Sequence, residues 1–377
     1  MNTPWATAAA SAAAALLFVL AHLVHLGGDA SLFAQVGRLF ADPAHVPDGI
    51  TVIPHYHGYD GQFYFRLALD PFSTERTVDG ISFDDGAYRQ QRILYPILVW
   101  AVTGGSPRLV VAALIMVNIV GVAVIGWLAG YLARTSGRHA LWGLAISLYP
   151  GYVVTLARDL TEIVSSCFLL GTLALLRGQR PITASIANAV GVLARETLLV
   201  VPAAVLACLA LDGLRRRPVR LGQLALLLPF AAITVWQALL LARWGATPAH
   251  SSAAAFSGPF VGVTLAIVWR ATHLTWTWLW LPFFVYIVFA FVLAAAALRD
   301  ARVPVHEKIA WLGYLAAAVS LDVGIWTLPD GFLRSLNELA SLSALVLLAA
   351  RDARAIRAYT AFTLVAWLFL ASFEAVT

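Results

Sequence analysis

The feature that most constrains this chain is a series of apolar segments too long and too numerous for an ordinary soluble core. They run near 4–26, 107–133, 139–157, 161–176, 182–194, 197–212, 221–242, 274–298, 309–328, 335–350 and 356–373. Sixty per cent of the 377 residues are hydrophobic and 12% are charged, against roughly a quarter charged in soluble domains. A membrane-crossing helix needs roughly 20 mostly apolar residues, so a chain of this length accommodates about ten with loops between. The shorter segments suit half-helices buried in protein rather than full spans. The expected fold is all-α and polytopic: one transmembrane domain over 1–377 with about eleven spans. Pro4 to about Leu26 lacks a basic n-region and reads as a retained first span.

The basic residues set the orientation. Arg134/Arg138, Arg177/Arg180, Arg215/Arg216/Arg217/Arg220, Arg299/Arg302/Lys308 and Arg351/Arg354/Arg357 fall in alternate loops, fourteen of the 25 Lys and Arg residues. By the positive-inside rule these loops are cytoplasmic. The N-terminus then lies inside and the C-terminus outside. The outer face receives the 28–91 loop, the Arg158–Glu162 corner, Arg195-Glu196, the 245–260 loop and Asp330–Glu338. The net charge of +5 therefore belongs to short membrane loops and does not point to nucleic acid. Cys167 and Cys208 both lie in apolar runs, which suits neither a disulfide framework nor a thiolate metal site.

The 28–91 loop is too long for a simple connector and holds nine carboxylates, Asp29, Asp42, Asp48, Asp60, Asp70, Glu75, Asp79, Asp84 and Asp85. Two amphipathic stretches, Ser31–Phe40 and Gln62–Leu69, read as short helices on the outer membrane surface. Arg92–Thr103 reads as a short helix entering the outer leaflet. Tryptophans 276, 278, 280 and 326 suit an interfacial aromatic belt.

Ionisable residues at a membrane boundary persist mainly when paired or functional. Five clusters qualify, all on the outer side: Tyr59-Asp60 with Gln62 and Tyr64; Asp84-Asp85 with Tyr88, Arg89 and Arg92; Arg158-Asp159 with Glu162; Arg195-Glu196; and Arg334 with Asn337 and Glu338. Arg334 and Glu338, four apart, are expected on one helix face. Their convergence predicts one large outer cavity; the plainer reading is a set of structural ion pairs. Asp60, flanked by Gly58 and Gly61 and set among aromatics, suits a base that takes a proton from a hydroxyl. It equally suits a cap for a helix starting at Gly61. His55 and His57 invite substrate contact or, with Asp60, a divalent cation, although no third or fourth ligand is specified. Asp84-Asp85 offers a second, weaker cation site; otherwise no cofactor is implied. Arg89, Arg92, Arg158, Arg195, Arg270 and Arg334 are candidates to clamp a phosphate through paired hydrogen bonds, with Glu162 and Glu196 beside them. No glycine-rich phosphate loop and no Gly-x-Ser-x-Gly elbow is present.

These motifs resemble the GT-C superfamily of integral-membrane glycosyltransferases. Tyr59-Asp60-Gly61-Gln62-Phe63-Tyr64, with Leu67-Ala68 beyond, is similar to the Asp-x-x-x-Tyr-x-x-Ile-Ala pattern of mannosyltransferases that use polyprenyl-phosphate sugars. Tyr88-Arg89-Gln90-Gln91-Arg92-Ile93-Leu94-Tyr95-Pro96 follows in the expected place. Leu160-Thr161-Glu162 and Ala194-Arg195-Glu196-Thr197 resemble later motifs of bacterial members that build surface glycans. The resemblance implies inverting transfer of a sugar from a polyprenyl-phosphate donor to a hydroxyl of a glycan or lipid, at the outer face of a bacterial plasma membrane. Asp60 would be the base. Many members carry paired acids in this loop, whereas here a single Asp follows Tyr59 and the nearest pair is Asp84-Asp85. A transporter or flippase for a lipid-linked sugar is the competing expectation; it would show repeats and polar residues tracking through the bilayer, neither of which the sequence displays.

Overall fold

The computed structural model describes residues 2–215, 221–274 and 277–376, with the side chains of residues 221 and 250 left aside. Arg216, Arg217, Arg220 and Trp276 fall outside the described residues. In chain order the helices are α1 (Pro4–His25), α2 (Asp60–Leu69), α3 (Gly86–Gln90), α4 (Leu94–Thr103), α5 (Pro107–Thr135), α6 (Leu144–Ser147), α7 (Gly151–Ala157), α8 (Glu162–Arg177) and α9 (Pro181–Gly191). There follow α10 (Val200–Leu214), α11 (Leu228–Trp244), α12 (Ala249–Ala253), α13 (Val261–Thr272), α14 (Thr277–Ala297) and α15 (Val305–Val319). The chain closes with α16 (Val323–Trp326), α17 (Pro329–Ser335), α18 (Asn337–Ala349) and α19 (Ala353–Glu374). One two-residue antiparallel pair, Thr77–Val78 with Ile81–Ser82, interrupts this all-α pattern.

Local chemistry marks the boundaries. Proline opens α1, α5, α9 and α17, where its missing N–H costs nothing. Asp85, Asp322 and Asp352 accept backbone N–H bonds at the starts of α3, α16 and α19. Gly104 and Gly245, at φ 60° and 67°, end α4 and α11 in the left-handed conformation that a Cβ disfavours.

Among the described residues, six helices are long and apolar enough to cross a membrane, and eight pass if each of two bent pairs is one span. The segment expected at 139–157 is broken between α6 and α7 by 61°, and that near 335–350 is α18, set at 58° to the preceding α17. The 161–176 and 182–194 segments become helices of 16 and 11 residues. The apolar residues of α8 are mostly buried within protein, whereas α9 buries Ala184, Ser185, Asn188 and Gly191 and exposes Ile182, Ile186 and Val190. All of α18 is buried. Small residues bring α1 and α5 close: Gly126 and Gly130 lie against Ser11 and Thr7, a packing habit of membrane helices. The Ser11 hydroxyl continues inward, bonding Ser147 at 2.7 Å.

Two loop expectations change. Helix α2 does not lie on a surface: Gly61 through Leu69 are all buried. The charge that suggested a polar face is Arg66, 0% exposed, whose guanidinium sits 3.5 Å from the Phe83 ring centroid and donates to the Ile81 and Glu75 carbonyls. Ser31–Phe40 forms one short 3₁₀ turn, Ala30–Ala34, then a left-handed Gln35, a bridge from Gly37 to Ile53 and a hydrogen-bonded turn over 38–40. Trp280 and Trp326 are buried and joined by a 2.7 Å bond from the Trp280 indole to the Trp326 carbonyl, so they belong to the core; Trp278 is exposed.

The loops sort to two ends. At one end, Arg177 makes a two-pronged pair with Glu307 at 2.6 and 2.7 Å and bonds Ser136, while Arg138 donates to the Ala350 carbonyl and Arg351 N–H to Asp300. The N-terminus joins this basic end, Asn2 accepting from Ala140 N–H at 2.8 Å. At the other end, Glu374 near the C-terminus pairs with Arg158 at 3.0 Å, and its carbonyl meets His22 Nδ1 at 2.6 Å. Segments expected on the same side thus share an end.

Candidate functional site

The loops of the second end enclose a cavity of about 390 Å³. Its lining is mixed, with the ionic Asp60, Arg89, Arg92, Arg195 and Arg334 and the apolar Phe256, Ala318, Leu321, Ile325, Leu328 and Leu339. Of the expected site residues, Asp60, Arg89, Arg92, Arg195, Arg334, His57, Tyr59, Gln62, Glu162 and Glu196 all line it.

Asp60 is held by tertiary contacts. The polar loop folds back through Gln62, which accepts from Gly37 N–H at 3.2 Å and donates to the His57 carbonyl at 3.3 Å. Gln62 thereby staples the loop to the first turn of α2. Gly61 passes so close to the carbonyls of Arg158 and Ala34 that a Cβ would collide with both. Helix α2 begins at Asp60, with no side-chain cap. Asp60 therefore does not cap; its Oδ1 accepts from Arg89 Nη1 and its Oδ2 from Arg334 Nη1, both at 2.7 Å. Side-chain exposure at Asp60 is 21%. Burial alone would raise the carboxyl, but Arg334 and then Arg89 outweigh it and hold Asp60 well below the usual carboxylate range.

The arginines differ in how far they are committed. Arg89 spends all three nitrogens, two on Asp84 at 2.8 and 2.7 Å and one on Asp60, and lies 4.2 Å from the Phe63 ring centroid. Arg92 donates Nε and Nη2 to Glu196 at 3.3 and 2.9 Å. Arg195 Nη1 contacts Asn337 Oδ1 at 2.6 Å and both oxygens of Glu338 at 3.2 Å. Arg334 makes one such bond, to Asp60, and rests 5.0 Å from the Tyr59 ring centroid. Its Nε and Nη2 carry no hydrogen bond among the described residues, and it makes the fewest side-chain hydrogen bonds of the four cavity arginines.

The bend between α17 and α18 separates Arg334 from Glu338, expected on one face. Arg334 turns to Asp60 and Glu338 to Arg195 and Thr197. Asn337 braces this junction, donating to the Glu162 carbonyl at 3.2 Å and to Ser166 Oγ at 2.9 Å.

Other expected residues stand outside. Arg158 pairs with Glu374 and lies 5.5 Å from the Tyr59 ring centroid. Asp84 acts on the cavity only by holding Arg89. Asp85 caps α3, accepting from Tyr88 N–H at 3.0 Å, and also accepts from Ser251. Tyr64 packs edge-on against Tyr95 beside a small cleft formed with Arg89 and Arg92. His55, at φ 55°, lines a shallow depression with Arg38 and Tyr56. Arg270 bonds the Thr327 carbonyl. Asp159 is fully buried, with neither carboxylate oxygen hydrogen-bonded among the described residues. Among the described residues no three His, Cys, Asp or Glu side chains form a group able to hold a metal ion; Asp60, the carboxylate assigned to such a group with His55 and His57, is already bridged by two guanidiniums.

Lining residues not singled out from sequence include Phe256, Tyr314 and Asp330, the last named only as the start of an outer segment. Asp330 accepts from the Tyr59 hydroxyl at 3.3 Å, and the Tyr314 hydroxyl is buried without a partner among the described residues. Tyr314 lies mid-helix in an apolar run, so nothing in local sequence distinguishes it from core. Phe256 arrives through pairing of its segment with Leu321, a long-range contact that sequence spacing does not carry.

Comparison of the chain with protein-family models, curated proteins and solved structures gave no match.

Proposed function

We propose that this protein is an inverting glycosyltransferase that moves a monosaccharide from a polyprenyl-phosphate donor to a hydroxyl of a glycan or lipid. The observation that carries the reading is the mixed lining of the cavity, which combines an incompletely bonded guanidinium at Arg334 with apolar Phe256, Leu321, Ile325 and Leu328. Such a pairing suits a ligand with an anionic head and a hydrocarbon tail. Charge supports the same class. Four arginines and five carboxylates line the cavity, and most are already paired, so little uncompensated positive charge remains. A lipid-linked sugar phosphodiester bears one negative charge, whereas a nucleotide diphosphate sugar bears two and would demand more cation. The phosphate rests against Arg334, with Arg92 Nη1 as the next donor, and each stabilises charge on the leaving oxygen.

The cavity opens at the outer face of a bacterial plasma membrane, opposite the basic loops. The N-terminus is cytoplasmic, and the eleven spans expected from sequence include short and bent helices that cross as broken segments. Membrane lipids, the donor and the acceptor are the partners. Concentration of the polar groups in one cavity, which shares no lining residue with the cavity of about 430 Å³ at the basic end, favours transfer over transport.

The test is binding of a synthetic polyprenyl monophosphate to the purified protein in detergent. The wild type is expected to bind it at least tenfold more tightly than the matching polyprenol, with most of that preference lost in Arg334→Ala. Equal affinity for phosphate and alcohol would contradict the reading.

A further inference from the structure

Five carboxylates line the cavity, and four are committed. Asp60 bridges Arg89 and Arg334; Glu196 pairs with Arg92; Glu338 holds Arg195 and Thr197; Asp330 accepts from the Tyr59 hydroxyl and from Gly331 N–H. The fifth is Glu162, in the first turn of α8. Its residue is 2% exposed, its Oε2 is buried without a partner, and no hydrogen bond or ion pair reaches its carboxylate among the described residues. Buried polar groups are nearly always paired, so an orphan of this kind asks for a ligand. Two more unpartnered groups accompany it in the cavity wall: the Tyr314 hydroxyl and Arg195 Nε. The Glu162 backbone is also fixed, since its carbonyl accepts from Asn337, whose own Oδ1 is bonded by Arg195.

A general base must offer a lone pair and enough basicity to take a proton. Asp60 is poorly suited while two guanidiniums hold it, because opposite charges stabilise its anion and weaken it as a base. Resting on the transferase reading above, we infer that Glu162 is the proton acceptor of the reaction and that Asp60 is a positioning residue for the phosphate-binding arginines. In the step, the acceptor hydroxyl oxygen forms a bond to the anomeric carbon as the bond from that carbon to the phosphate oxygen breaks. The bonding electron pair leaves on the polyprenyl phosphate, beside Arg334. The hydroxyl proton passes to the Glu162 carboxylate. Glycoside and polyprenyl monophosphate result, and Glu162 returns its proton to water. The Tyr314 hydroxyl and Arg195 Nε are left to bind sugar hydroxyls.

Two measurements on the same variants test this. One is polyprenyl monophosphate binding by the purified protein. The other is the initial rate at which a missing surface-glycan mass returns when expression is induced in a deletion strain. Glu162→Gln is expected to bind the probe within about threefold of wild type and to slow glycan return by about 100-fold or more, the lower range for a lost general base. Glycan return within about tenfold of wild type would overturn the inference, because Gln can still accept a hydrogen bond but not a proton. Loss of probe binding in Glu162→Gln would overturn it too, making Glu162 part of the phosphate site. Should Glu162→Gln not accumulate, Glu162→Asp keeps the charge on a shorter stem; at least tenfold slower return with intact probe binding is expected, and a wild-type rate overturns the inference. A wild type that neither binds the probe nor restores any sugar would instead refute the transferase reading itself.

Discussion

At Asp60 the arithmetic of charge decides between roles that sequence left open. A residue beside Gly61, at the mouth of a helix, has the chemistry of a cap, yet its side chain turns away from the backbone to two arginines. Capping is local and readable; the arginine contacts join positions 29 and 274 residues apart in the chain. The depressed carboxyl gives a signed prediction. Its folded value lies below that of the unfolded chain, roughly 3.9, so the contribution to stability is full above about pH 5 and drains as pH falls through the folded value. Asp60→Asn should lower stability near neutral pH by about 3 kcal/mol, the low end for breaking a buried pair because the site is partly exposed. The difference between variant and wild type should narrow below about pH 4. Thermal unfolding in detergent from pH 7 to pH 3 checks this; a difference that stays constant would remove the arginine clamp as its source.

Among the elements, α2 is where pattern and packing part. Its polar residues suggested a surface helix, but Arg66 is buried under Phe83 with carbonyl partners, and Gln62 is spent on the loop. A long side chain that satisfies itself internally looks, in sequence, like one that faces water. The broken helices follow the same logic. Pro150 stands at the first bend and no proline stands at the second, near Leu336, and an apolar run gives no measure of the angle between its halves. Ion-pair partners were legible as a set, since every outer cluster supplied a member of the cavity wall. Their pairing was not: Arg334 parts from Glu338 because the chain turns between α17 and α18. The close approach at Gly61 makes the position of α2 testable. Gly61→Ala drives a Cβ into the carbonyls of Arg158 and Ala34 and should cost about 1–3 kcal/mol, the usual range for overpacking. It should also weaken polyprenyl monophosphate binding by displacing Asp60 and its arginines. Wild-type stability and binding together would show that α2 has room the structure does not grant it.

Over the whole molecule, the division into a basic end and a cavity end follows from charge counting alone, because the alternate loops carry both the orientation signal and the functional residues. The number of spans does not follow, since burial inside protein and burial in lipid select the same side chains. Orientation can be read directly. Asp48→Cys, in the long loop, should react with a membrane-impermeant maleimide on intact cells, and Arg299→Cys, at the basic end, only after the membrane is opened. Each would be made with Cys167 and Cys208 replaced. The reverse labelling would place the cavity in the cytoplasm and end the outer-face proposal.

The central claim is that this cavity transfers a sugar, and surface-glycan mass spectrometry of a deletion strain tests it whatever the donor and acceptor are. The strain would be complemented with wild type, Asp60→Asn or Arg334→Ala, each present in the membrane at equal levels. Wild type is expected to restore a missing sugar mass, and both variants to fail to do so at a comparable rate. Full restoration by both variants, or an unchanged glycan profile in the deletion strain, would contradict it.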